Sequence, residues 1–221
     1  EMCIRDSLNP LNPNIGGPVL GMDINGTTAY VGGKFSTAGA DSRANLAAFD
    51  INTGAIQAWN PGANLGVLDV AVNGSNVIAA GLFTNCGGQA RNRIAQLDAS
   101  GNATAWNPDA NDTVATIVVD GGTIYVGGNF TKIGGADKVR AAGLDATTGN
   151  ATAWKGNASG SVVSIAANNN AVYVGGRFSS IGGETRNHLA QLDMTTGAAT
   201  AWSPEIDGAV YAMLTSGDTL F

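Results

Sequence analysis

Short apolar runs rich in Val, Ile, Tyr and Ala alternate with clusters of Gly, Asn, Asp and Thr along almost the whole chain. Runs such as VLDVAV, VATIVV and VVSIAA are each followed, after a polar break, by a second run of the type IYVGG or VYVGG. A third run (NLAAFD, RIAQLD or HLAQLD) and a fourth (AIQAW or ATAW) complete the series. β-Branched and aromatic side chains suit a pleated, half-buried surface, and no segment sustains a 3.6-residue apolar period over three turns. Gly, Asn and Asp between the runs take the backbone conformations that tight turns require. The pattern predicts short strands rather than helices.

The series repeats. The strings AYVGGKFS, VIAAGLFT, IYVGGNFT and VYVGGRFS place their last glycine at Gly33, Gly81, Gly128 and Gly176, in steps of 48, 47 and 48. An aspartate lies 17 residues after each glycine, at Asp50, Asp98, Asp145 and Asp193. A tryptophan closes each unit, at Trp59, Trp106, Trp154 and Trp202. The one length change is a residue missing between Asp98 and Trp106, in a turn, where a packed repeat tolerates it. Four strands in 47–48 residues is the size of a propeller blade.

The fold class expected is therefore all-β: a β-propeller fragment of four complete four-stranded blades plus a partial fifth. Residues 9–16 read as the tail of a preceding blade, with Leu11 in its Trp slot. Blades follow at 17–64, 65–111, 112–160 and 161–207, and residues 208–221 begin another. An extra half unit does not fit a closed ring of four, so a larger ring of about six to eight blades is expected. Residues 1–8, which include Cys3, match nothing in the repeat and read as a non-native tag or assembly artefact. Four open-ended blades would expose faces that a ring covers, and poor stability in isolation is expected.

Composition adds limits. Thirty-two glycines exceed average usage about twofold, yet 44% hydrophobic content supports a real core. A net charge of -6 and the lack of a basic stripe argue against nucleic-acid binding. No apolar run reaches the roughly 18 residues needed to span a bilayer as a helix.

Chemistry-bearing residues are sparse. Each repeated aspartate precedes a Gly-containing turn, where its side chain is expected to accept backbone N–H bonds rather than bind metal. His188 is the single histidine and shares a polar slot with Asn45, Arg93 and Arg140, which predicts exposure and neither a zinc site nor a Ser–His pair. Cys86 takes the slot of Ile133 and Ile181 and reads as a buried small hydrophobe. The basic slot Arg43, Arg91, Lys138 and Arg186 recurs in every blade, which assigns it to a salt bridge or carbonyl contact. Departures from the repeat that could mark a ligand are Asn85-Cys86, Asp137-Lys138-Val139 and Lys155-Gly156. No catalytic, cofactor-binding or metal-ligating set emerges, and no cofactor is expected.

The string YVGGxFTxIGGxxRNxLAxLDxTTGxxTAWxP resembles bacterial propeller repeats of the delta-60 and DUF5122 type over about residues 12–221. That resemblance implies a secreted or cell-surface, noncatalytic binding scaffold. Its partners would be an unknown protein or carbohydrate and further blades of its own chain. AFDINTGAIQAW more loosely resembles the Trp-docking motif of quinoprotein dehydrogenases, with one extra residue between Gly54 and Trp59. The alternative is therefore a fragment of a quinoprotein-like oxidoreductase whose site lies in other blades.

Overall fold

A computed structural model describes residues 12–168, 171–217 and 219–221. The non-native reading of residues 1–8 and the Trp slot at Leu11 lie outside them. The described chain is all-β, built as four successive antiparallel sheets.

Each sheet has an inner, a second and a third strand in spatial order. They are Val19–Asn25, Thr28–Gly33 and Leu46–Asp50 in the first blade, and Val67–Asn73, Asn76–Gly81 and Ile94–Leu97 in the second. The third blade has Val114–Asp120, Thr123–Gly128 and Ala141–Asp145, and the fourth Val162–Asn168, Ala171–Gly176 and Leu189–Leu192. In the first blade, residues 26 and 27 turn the inner strand into the second, with Asn25 opposite Thr28 and Gly26 at φ 60°, a conformation that favours glycine.

The fourth strand is short. It touches the third through one bridge per blade, at Ile56, Ala103, Ala151 and Ala199. Two ladder bonds flank that bridge in the first blade, Asp50 N–H to Ala55 O at 3.0 Å and Gln57 N–H to Ala48 O at 2.8 Å. Between the second and third strands lies an element the apolar pattern does not announce. Two-residue strands pair as a small hairpin, as Thr37–Ala38 with Asp41–Ser42 and Lys132–Ile133 with Ala136–Asp137. The sequence reads this stretch as a turn, because two residues are too few to carry a period.

Every inner strand has a bulge at its second residue, Leu20, Leu68, Ala115 or Val163. All four bulged residues and Tyr211 line one cavity of about 260 Å³, so the blades fan about a common axis. Three of the four core clusters lie between blades, and the fourth, which includes Val31, Phe35 and Phe49, lies within the first blade. Leu46, Ala48 and Trp59 of the first blade pack with Val67, Val70 and Phe83 of the second. Trp106 packs with Val114, Ile117 and Phe130 across the next seam, and Trp154 with Val162, Ile165 and Phe178 across the third.

The conserved geometry of the glycine pair explains that packing. A Cβ on Gly32 would sit 2.4 Å from Val67 Cγ1 of the next blade, and one on Gly127 would sit 2.3 Å from Val162 Cγ1. The missing side chain is what lets the next inner strand approach. In the second blade Ala80 takes this place and is fully buried.

Candidate binding surface and the axial carboxylates

The four repeated aspartates stand at the rim, each ending or just following a third strand. Asp145 Oδ1 accepts the N–H groups of Thr147 and Thr148 at 3.0 and 2.7 Å and the Thr148 hydroxyl at 2.8 Å. Asp50 and Asp193 hold their turns through the same three kinds of donor. Asp98, in the turn shortened by one residue, accepts Ser100 and Asn102 N–H instead. These donors hold all four carboxyls below the usual carboxylate range. The largest contribution is a threonine hydroxyl at Asp50 and Asp193 and a backbone N–H at Asp98 and Asp145.

The backbone carbonyl of the same aspartate receives the tryptophan of the preceding blade. Trp59 Nε1 donates to Asp98 O at 3.1 Å, Trp106 Nε1 to Asp145 O at 3.1 Å and Trp154 Nε1 to Asp193 O at 3.0 Å. Tyr30, Tyr125 and Tyr173 meet Trp59, Trp154 and Trp202 edge-on, with ring centres 5.1–5.6 Å apart.

The basic slot ties the short fourth strand down. Arg43, Arg91 and Arg186 donate through one guanidinium nitrogen to Gln57 O, Thr104 O and Thr200 O at 2.9, 2.6 and 2.6 Å. Lys138 reaches Thr152 O and Trp154 O, both at 2.7 Å. Burial, with Lys155 nearby, pulls the Lys138 ammonium below its ordinary range. At the other departures Cys86 is fully buried, its thiol pushed up to about 12 by burial, and Gly156 leaves room for the Trp154 ring.

His188 is half-buried rather than exposed. It has φ 64°, as Asn45, Arg93 and Arg140 have 64–65°, and this left-handed backbone turns each side chain back onto the protein. His188 Nδ1 lies 3.2 Å from Gly176 O, Asn45 Nδ2 donates to Ala63 O at 2.8 Å and Arg140 to Ala158 O at 3.0 Å. The polar slot predicts a surface side chain, and the left-handed backbone overrides it.

The hairpins and the segments after each tryptophan form one face of the stack, and grooves open there between blades. That between the second and third blades holds about 1090 Å³ and is lined by Asn92, Asn107, Asp109, Lys132, Asp137 and Asn150 among others. Asp109 has φ 53°, where Gly62 stands in the preceding repeat at φ 62°. Its Oδ1 accepts Asn92 Nδ2 at 2.7 Å, which sets both side chains at the groove floor. Lys132 and Asp137 pair across the hairpin at 3.4 Å, both exposed. Asn111 is committed to structure, since its Oδ1 accepts Thr131 and Lys132 N–H, as Asn64 does for Thr84 and Asn85 one blade earlier. The groove thus presents amides, carboxylates and an ammonium group, and no nucleophile–base pair. Among the described residues no group of three or more His, Cys, Asp and Glu side chains gathers to hold a metal.

Two carboxylates at the axis were not singled out in the sequence. Asp69 Oδ1 accepts Val70 N–H at 2.9 Å, and its Oδ2 accepts Ile117 N–H of the next blade at 2.8 Å. Asp23 does the same for Ile24 and Val72 at 2.8 and 2.7 Å. Both satisfy the open N–H edge of inner strands on either side of a seam. Thr116 Oγ1 takes Ile165 N–H at 3.3 Å, one seam further on. Burial pushes the Asp69 carboxyl up to about 6, against the pull of the amide donors. The signal available was a lone carboxylate inside the run VLDVAV, in a column that reads Gly21, Asp69, Thr116 and Ser164.

Residues 76–103 and 168–197 match the family model described as domain of unknown function (DUF5122) beta-propeller. No curated protein matches the chain by sequence. Among solved structures it is similar to the WD40 beta-propeller domain of Doa1, at TM-score 0.58 and 14% identity over 87% of this chain and 55% of that one. It is also similar to two computationally designed proteins. Ika4 aligns at TM-score 0.53 and 10% identity over 80% of this chain and 91% of its own. Ika8 aligns at TM-score 0.52 and 11% identity over 91% of this chain and 66% of its own. The two matched stretches are occurrences of a pattern that runs in register through all four sheets, and the likeness to solved propellers shows the fold of the chain to be a β-propeller.

Proposed function

We propose that the chain is a noncatalytic, extracellular or surface-associated scaffold whose hairpin face binds carbohydrate in the groove between the second and third blades. The observation that carries this reading is the composition of that groove. Asn92, Asn107, Asn150, Asp109 and Asp137 offer donors and acceptors in the paired geometry that neighbouring hydroxyls need, and no aromatic anchor of the kind that dominates protein interfaces lines it. It is also a seam at which the repeat departs from itself, with Lys132 where the other units have Thr37, Asn85 and Ser180.

The test is a glycan array and calorimetry with the wild-type chain and with Asp109→Ala and Asn92→Ala. Binding that is lost in both variants, with circular dichroism unchanged, supports the reading. A wild-type chain that binds no glycan, or variants that bind as well as wild type, sinks it, and a protein partner displaced by the same substitutions would replace it.

A further inference from the structure

Two of the three departures from the repeat meet at the seam between the third and fourth blades. Asp137-Lys138-Val139 closes the third hairpin, and Lys155-Gly156 follows the third tryptophan. Lys138 Nζ donates to Trp154 O at 2.7 Å, the carbonyl directly before Lys155. Val139 N–H donates at 3.0 Å to Oδ1 of Asn157, the residue after Gly156. Gly156 stands where the two preceding units have Pro61 and Pro108. Lys155 N–H reaches across the seam to Thr196 O at 2.9 Å, which Asn60 and Asn107 at the same place do not do.

The groove over this seam holds about 540 Å³ and is lined by Lys155, Asn157, Ser180 and Thr196 among others. It occupies the same place in the repeat as the groove one blade earlier, with different charge. In the earlier groove Asp109 Oδ1 accepts Asn92 Nδ2, and Asp137 lines the wall. Here Asn157 stands for Asp109 and Val139 for Asn92. Val139 has only its backbone N–H to give, and Asn157 Oδ1 takes it. The Asn157 Nδ2 is left with no acceptor among the described residues. The Ser180 hydroxyl is likewise without a partner among them, whereas Thr196 gives its hydroxyl to Asp193 Oδ1 at 2.8 Å. No carboxylate lines this groove, in a chain of net charge -6. Neither Lys138 nor Lys155 has an ion pair among the described residues. Burial first, and then the charge of Lys155, pulls the Lys138 ammonium below its ordinary range. An oxyanion beside Lys155 would offset that repulsion and meet two further donors.

We propose that this groove binds the carboxylate or sulfate group of an acidic glycan. Lys155 Nζ supplies the charge, and Asn157 Nδ2 and the Ser180 hydroxyl supply the directed hydrogen bonds. The proposal rests on the carbohydrate reading above and names the ligand class. The earlier groove, with Asp109 and Asp137, takes hydroxyls and repels a charged unit, so the two seams divide the chain of sugars between them.

Calorimetry with uronate-containing and sulfated oligosaccharides, each beside its uncharged parent, tests it. The wild-type chain should bind the acidic form about tenfold more tightly, a preference that shrinks as salt screens the charge. Lys155→Gln should bring the acidic form down to the level of its parent, and Lys155→Arg should keep the preference. Asn157→Asp keeps the acceptor for Val139 N–H and should reverse the preference. Asp109→Ala, one seam away, should weaken both forms alike. An acidic form bound no more tightly than its parent, or a preference that survives Lys155→Gln, overturns the proposal and leaves the carbohydrate reading standing. If no glycan binds, that reading falls and the glycan falls with it as the source of the anion. Inorganic sulfate that raises the melting temperature of wild type but not of Lys155→Gln would then keep the groove as a site for a free oxyanion. Sulfate without effect on either chain would remove the site as well.

Discussion

Aspartate serves the rim and the axis of this molecule in opposite ways. At the rim, Asp50, Asp145 and Asp193 stand in water, each with one oxygen gathering two N–H groups and a hydroxyl from its own turn. Asp98 does so without the hydroxyl. The charged form is the one the turn is built around, so their carboxyls ionise more readily than usual. At the axis, Asp69 spreads its two oxygens over two blades and is screened from water by the inner strands. Desolvation outweighs the two amide donors there, and its carboxyl holds its proton to about pH 6. The same residue type therefore stabilises the fold in different pH ranges. Repetition marks the first use, and a break in repetition marks the second.

The sharpest way to break the rim is Trp154→Ala. The ring is 1% exposed and its indole holds Asp193 O, so its loss should cost about 3–5 kcal/mol in urea denaturation. Trp202→Ala, at a ring that is already 37% exposed, should cost far less.

The axis is tested through pH. Because the Asp69 pKa rises from 3.8 to about 6 on folding, the native state binds the proton more tightly than the unfolded chain. Its contribution is full below pH 4 and is lost as pH rises through 6, a fall of about 3 kcal/mol at most. Denaturation midpoints for Asp69→Asn should lack that slope between pH 4 and 7. An unchanged slope would assign it to another group.

The smallest effect is expected from Asp145→Ala. Folding lowers this pKa, so its contribution is present above the unfolded value of 3.8 and lost as pH falls through the folded one. The variant should be less stable than wild type at neutral pH and converge with it in acid. Convergence at neutral pH instead would mean that the turn keeps its shape through the backbone alone.

Much of this architecture was legible in the sequence because it recurs. The glycine pair, the rim aspartate and the closing tryptophan come back at fixed spacing, and strand alternation fills the gaps between them. What was not legible lies where the repeat is silent. The two-residue hairpins have no period to read. The half-buried setting of His188 comes from a positive φ that its polar slot conceals. Asp69 sits in a column that keeps no identity, where Asp69 and Thr116 accept an N–H across the seam and Gly21 has no oxygen to offer. The ligand groove is similar: Asp109 departs from Gly62 by a substitution that both backbones accommodate.

The direction of the tryptophan bond has a consequence for how the chain is made. Each indole reaches forward to a carbonyl 39 residues later, never backward. During synthesis a blade that has left the ribosome holds an unsatisfied donor and an uncovered face until the third strand of its successor emerges. At about 5–20 residues per second that wait is roughly 2–8 seconds per blade. The array is therefore assembled in order from its first blade, and the most recently made seam is always the one open to a wrong partner.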